Sequence, residues 1–229
     1  MVKDDVWMPK CKTKESDAEA AVISIYMSNI SSEVIACQRQ CVLRLLPDKW
    51  IFKQYLHSPS NGSSPSHARA IEECLSQPLP PVVILLDVDC IPLSSRAFPF
   101  LFESCQSGSL VGCVQRANHI ENNKHLYVGP FCMAFAISAY EALGRPSFDP
   151  THRGDVGEEL TYRWQESGRA VQFLWPTDVL FKLWDLIDGC PFGMGTTFGN
   201  LFYHSFCIRS SEVQAHFIHK CRSEIEGSG

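Results

Sequence analysis

The sequence contains no apolar run approaching the length of a membrane-spanning helix, so no membrane span is expected. Its opening residues, MVKDDVWMPKCKTKESDAEA, lack the apolar stretch of a secretory signal. There is no basic excess: 20 Lys and Arg stand against 25 Asp and Glu, a formal net charge of −5. That balance leaves out the electrostatic footprint of a nucleic-acid-binding protein. The 11 cysteines are an odd number at scattered spacings, without a repeated C-x₂-C pattern. Internal repeats are absent, as is low-complexity sequence outside one Ser-rich stretch. Together these absences imply a reduced, cytoplasmic protein whose thiols are mostly buried.

What is present is the composition of an ordinary globular protein, 45% hydrophobic and 20% charged over 229 residues. Residues 1–18 are polar and read as an N-terminal arm, and residues 19–229 read as one domain. Apolar runs predict buried strands at Ala20–Ser28, Trp50–Leu56, Val82–Leu93, Ser109–Gln115, Phe131–Ile137 and Val171–Trp175. Capping residues Ser31-Ser32-Glu33 open a predicted helix running to Leu46, and further helices are predicted over Ala68–Leu75, Ser138–Leu143 and Asp155–Ser167. By composition His57–His67, HSPSNGSSPSH, is a loop, and Gly193–Gly199 reads as a plain loop or a mobile flap. Strands alternating with helices predict an α/β fold, a mostly parallel central sheet flanked by helices.

The chemistry concentrates in VVILLDVDCIPL, Val82 to Leu93. An apolar strand there delivers Asp87 and Asp89 to its carboxyl end, where open α/β sheets bind ligands. Strand alternation would send both carboxylates to one side and Val88 to the other. Two close carboxylates repel, and hard oxygen ligands suit Mg²⁺ or Mn²⁺ beside a phosphate-bearing substrate. Asp residues also cap turns, and the pattern alone does not choose between these roles.

Further motifs follow in a fixed order. Asn61-Gly62-Ser63-Ser64 precedes His67-Ala68-Arg69 at a helix start, and Asp87-Val88-Asp89 comes next. Then come Tyr127-Val128-Gly129-Pro130-Phe131, Phe148-Asp149-Pro150, and Asp155-Val156-Gly157-Glu158-Glu159-Leu160 with Arg163 and Gly168. This order, across residues 20–210, resembles the GT-A glycosyltransferases, enzymes that use nucleotide-diphosphate sugars. The resemblance implies a GT-A-like domain, a nucleotide-diphosphate-sugar donor, an acceptor it does not identify, and Mn²⁺ or Mg²⁺ as cofactor. It places Ser28, Asn61, Arg69, Asp87 and Asp89 at the donor, with Asp87, Asp89 and His204 on the metal. The imidazole of His204 tilts the choice toward Mn²⁺. The usual Glu-Asp pair of inverting members would fall near Val156-Gly157, where this chain has no carboxylate. The base is therefore sought first at Asp155, then at Glu158, then at Glu159.

Plainer roles exist for the same residues. A His amid aromatics, such as His204, serves as a core residue; Asp155 suits an N-cap, and Glu158 and Glu159 suit first-turn charges. Trp175, Trp184 and Tyr203 would stack on a sugar or base, or fill the core. Rival functions are nucleotidyl transfer, nucleotide-sugar binding without turnover, and a Cys/His structural metal module built from Cys37, Cys41, His216, His219 and Cys221.

Overall fold

The computed structural model describes residues 17–57, 67–121 and 124–227. Most of the expected residues 1–18 arm, and Asn61 with its Gly-Ser motif, lie outside them. The central sheet begins with β1 (Ala20–Met27), whose first six residues are buried. Such a run, apolar on both faces, requires cover on both sides. It pairs in parallel with β2 (Trp50–His57) and β3 (Val82–Asp87). The crossovers are α1 (Ser32–Leu45) and α2 (His67–Leu75). Ser31 caps α1, accepting from the Val34 amide at 3.3 Å, as its position predicted. Three more strands complete the order β2-β1-β3-β6-β5-β7: β5 (Leu110–Gln115), β6 (Tyr127–Ala136) and β7 (Val171–Leu174). Only β6 runs against the others, so this sheet is mostly parallel, as expected.

A second, antiparallel sheet has the order β4-β10-β9-β8, with β4 (Cys90–Pro92), β8 (Pro176–Ile187), β9 (Cys190–Phe198) and β10 (Phe202–His204). Two expectations are corrected here. The run Val82–Leu93 is two strands: β3 ends at Asp87, the chain turns at Val88-Asp89, and β4 enters the other sheet. Both pieces are buried, so an unbroken apolar pattern conceals the break. The second correction concerns Gly193–Gly199, neither loop nor flap but mostly strand β9. Glycine is needed at Gly193 because a Cβ there would lie 2.0 Å from the Phe181 carbonyl oxygen.

The helices α3 (Ala97–Cys105) and α6 (Ser211–Glu226) escaped the sequence patterns. Pro99 disguises α3, yet it falls in the first turn, where no intrahelical N–H is required. The last helices are α4 (Ile137–Ala142) and α5 (Glu158–Glu166), the latter starting three residues beyond the expected Asp155. On one face of the central sheet, Trp50, Phe98, Leu101 and Phe131 pack with Phe192, Phe198 and Phe202 of the second sheet. On the other face, Ile71, Phe135, Tyr140, Phe148 and Trp164 bring in α2, α4 and α5. A third cluster joins α1 to α6 through Val34, Cys37, Cys41, Phe217 and Cys221. No helix among the described residues is long and apolar enough to cross a membrane.

Candidate active site

Asp87 ends β3, Asp89 lies in the following turn, and His204 ends β10. The pairing of β10 with β4 sets His204 opposite Cys90, and the Ser205 amide donates to the Asp89 carbonyl at 2.9 Å. One ligating atom from each of Asp87, Asp89 and His204 falls within 4.8 Å of the others. The two carboxylates approach each other, but through the turn and not through the strand alternation expected from the sequence: Asp87 ends β3, and Asp89 lies within the turn that leads into the second sheet. His204 Nε2 sits 3.5 Å from Asp89 Oδ1, both side chains being almost fully buried. The imidazole stacks on Phe131, with ring centroids 3.9 Å apart and planes within 6°. Its Nδ1 is buried without a hydrogen-bond partner among the described residues. A buried polar atom left in that state is costly unless something unseen satisfies it. Two carboxylates and an imidazole with an orphaned nitrogen fit a divalent cation of the Mn²⁺ or Mg²⁺ type.

The turn is held from behind by Gln38, fully buried on α1. Its Nε2 donates to the carbonyls of Asp87 at 2.7 Å and Cys90 at 3.1 Å. Its Oε1 accepts from Ser24 Oγ at 2.8 Å and Gln54 Nε2 at 3.1 Å. One side-chain amide thus fixes both ends of the carboxylate-bearing turn. Sequence reasoning missed Gln38; the available signal was a polar residue within the apolar stripe of Val34, Cys37, Cys41 and Val42.

A second missed residue is His67, the first residue of α2, whose Nε2 lies 2.9 Å from Asp87 Oδ1. Burial opposes the charge on each, but their mutual attraction and hydrogen bond outweigh it. His67 is therefore held above the ordinary histidine pKa, and Asp87 below the ordinary carboxylate one. Neighbouring Arg69 is exposed, 3.4 Å from Glu73, and does not line the cleft. Ser28 is exposed and lies off it as well.

The cleft itself encloses about 420 Å³. Tyr26, Met27, His67 and the two aspartates form one part of its lining, and Gln115, Tyr127, Phe131, Asp155 and Val156 another. Asp155 Oδ1 accepts from the Val156 amide at 2.7 Å, and Oδ2 is 4.0 Å from His119 Nε2. Tyr127 is buried, and desolvation first, then the charges of Asp155 and Glu158, push its pKa well up. Glu158 is fully buried, its Oε2 accepting from the Asp155 amide at 2.9 Å and its Oε1 2.8 Å from His125 Nδ1. Glu159 is held by Arg153 through two contacts, 2.9 and 2.6 Å. Gly157 has φ +73°, a left-handed conformation suited to glycine.

Trp175, Trp184 and Tyr203 do not line the cleft. Trp184 packs on Phe192, and Tyr203 belongs to the core between α1 and α6. The Cys/His module does not assemble: Cys37, Cys41 and Cys221 lie in apolar packing, while His216 and His219 are exposed. Among the described residues, Asp87, Asp89 and His204 form the single group able to hold a metal.

No protein-family model matches the sequence, and no curated protein matches it. Solved structures do. The catalytic domain of Drosophila β1,4-galactosyltransferase 7 in complex with xylobiose matches at 14% identity and a TM-score of 0.51, over 82% of this chain and 70% of that one. A mutant of that enzyme in complex with manganese, UDP-Gal and xylobiose gives 14% and 0.52, over 82% and 71%. A mannosyltransferase from Pyrobaculum calidifontis, in complex with GDP-Man and Mn²⁺, gives 12% and 0.46 over 68% of this chain. The present chain spans about half, 54%, of that protein's length. The likeness to the galactosyltransferase establishes the fold, which is GT-A.

Proposed function

We propose that this chain is a divalent-cation-dependent glycosyltransferase that moves a sugar from a nucleoside-diphosphate sugar to an acceptor hydroxyl, with residues 19–229 as one catalytic domain. The observation carrying this reading is the convergence of Asp87, Asp89 and His204 in the cleft at the carboxyl end of a parallel sheet strand. The galactosyltransferase neighbour, solved with manganese and UDP-Gal, lends it support. Asp87, Asp89 and His204 would hold the cation, and the chemistry it supplies when bound is neutralisation of the departing diphosphate. The imidazole favours Mn²⁺ over Mg²⁺.

The remaining roles fall to the chain's own groups. His67, poised at the start of α2 and paired with Asp87, orients that carboxylate and presents positive charge to the donor phosphates. Donor contact belongs to His67, Asp87 and Asp89 ahead of Ser28 and Arg69, which lie off the cleft. Asp155 accepts the acceptor hydroxyl proton, being the one carboxylate of the three candidates that lines the cleft. Glu158 positions Asp155 through its backbone amide. Glu159, committed to Arg153, stands apart from the chemistry.

A panel of UDP- and GDP-sugars, assayed with Mn²⁺ and with a chelator, tests the proposal. Cation-dependent release of nucleoside diphosphate with sugar transfer or hydrolysis supports it; no donor binding and no turnover across the panel overturns it. The absence of a carboxylate at Val156-Gly157 favours a second reading, donor binding without transfer. A donor that raises the melting midpoint in Mn²⁺ yet is never consumed would select that reading.

A further inference from the structure

Strand β8 is the outer strand of the second sheet: it pairs with β9, and no described strand lies on its other edge. Leu180, Phe181 and Leu183 are 54%, 50% and 47% exposed, and Asp178 and Lys182 between and beside them are exposed too. A long edge strand with free main-chain groups and apolar side chains is a template for strand addition. Bulges ordinarily blunt such edges, and β8 has three register shifts, after Pro176, Lys182 and Asp185. They spare the stretch Asp178–Lys182, where the register with β9 is constant, although Leu180, opposite the left-handed Gly195, is not itself paired.

That stretch carries opposite charges at equal distances from its central residue, Asp178 and Lys182 on either side of Leu180. An antiparallel pair related by a two-fold axis must place one residue opposite its own copy, because successive residues alternate in both face and hydrogen-bond type. An axis at Lys182 opposes the two lysines, and an axis at Phe181 sets Lys182 against Leu180. An axis at Leu180 sets Lys182 against Asp178, twice by symmetry, with Leu180 on Leu180 and Phe181 on Val179. Cross-strand opposite charges and apolar pairs stabilise a ladder, and like charges oppose it. We infer that two copies of this chain join through β8, antiparallel about a two-fold axis at Leu180, with Lys182 of each copy facing Asp178 of the other. Lys182 lies 2.7 Å from Asp185 of its own chain, and its ammonium has donors enough for both carboxylates. No residue of β8 lines the cleft, so pairing leaves the cleft open and stands independently of the proposed reaction.

Sedimentation equilibrium on the full chain over a dilution series tests this. The parent should dimerise, and K182D and D178K should each raise the dimer dissociation constant by on the order of tenfold, since two attractive pairs become repulsive. An equimolar mixture of the two variants should regain the dimer, because every facing pair is then of opposite charge. The double variant D178K/K182D should dimerise like the parent. Both positions are exposed, and circular dichroism of each variant checks that the fold is retained. A monomer throughout the series overturns the inference. So does a dimer indifferent to these charges, or a mixture that behaves like its separate components.

Discussion

The side-chain amide of Gln38 donates to the carbonyl of Asp87 at 2.7 Å, tying helix α1 to the strand end that carries the first site carboxylate. The same nitrogen holds Cys90, so the turn bearing Asp89 is spanned by one neutral group. Gln38→Leu removes that group while keeping most of its volume, and strands two carbonyls and the Ser24 hydroxyl. The expected loss is roughly 2–4 kcal/mol in urea unfolding, from buried polar groups left unpaired. Mn²⁺ affinity, read by calorimetry, should fall along with it.

Asp89→Asn preserves shape at a buried position and removes one negative ligand. Turnover should drop about a hundredfold or more, and Mn²⁺ binding followed by electron paramagnetic resonance should weaken in parallel. On the proposed function, chelation should silence turnover by the parent protein, and added Mn²⁺ should restore it. An Asp89→Asn variant with full activity would remove the carboxylate pair from the reaction.

Asp155→Asn should lower kcat by about 10²–10⁴ while leaving KM for the donor nearly unchanged, the pattern for loss of a general base. Glu159→Gln should leave kcat close to the parent value, because Glu159 is spent on Arg153. Steady-state kinetics with a consumed donor decides between them. Equal effects of the two substitutions would move the base away from Asp155.

Cysteine reactivity reports the cleft directly. Cys207 is exposed and lines it, with a thiol that partial desolvation also raises, whereas Cys74 and Cys105 are buried out of reach, their thiols pushed up to about 11 and about 12. Raised values leave little thiolate below them, so at about pH 8 iodoacetamide should label Cys207 and spare Cys74 and Cys105. A bound nucleotide sugar with Mn²⁺ should slow labelling of Cys207 alone. Peptide mass mapping reads both outcomes.

The parts of this protein legible in sequence are those whose pattern is local. β1, α1 and β2 announce themselves because their apolar spacing and the Ser31 cap lie within a few residues of one another. The break at Val88-Asp89 is hidden because a strand entering a second buried sheet is as apolar as the one it leaves. The β8–β9 hairpin was obscured by exposed residues and glycines that look irregular until paired. At the site, Asp87 and Asp89 are legible at the end of the apolar run that carries them, and His204 only through the family resemblance. Gln38 meets the turn across 49 and 52 residues of sequence, and no periodicity encodes such a hydrogen bond.

The turn at Val88-Asp89 joins the two sheets, and it divides the proposed metal-ligand set between them: Asp87 belongs to the six-stranded sheet, His204 to the four-stranded one. Local opening of the smaller sheet would carry His204 away while leaving Asp87 where it is. On warming, then, inactivation should precede the cooperative melting of the larger sheet, and a tightly held cation should narrow the interval between the two events.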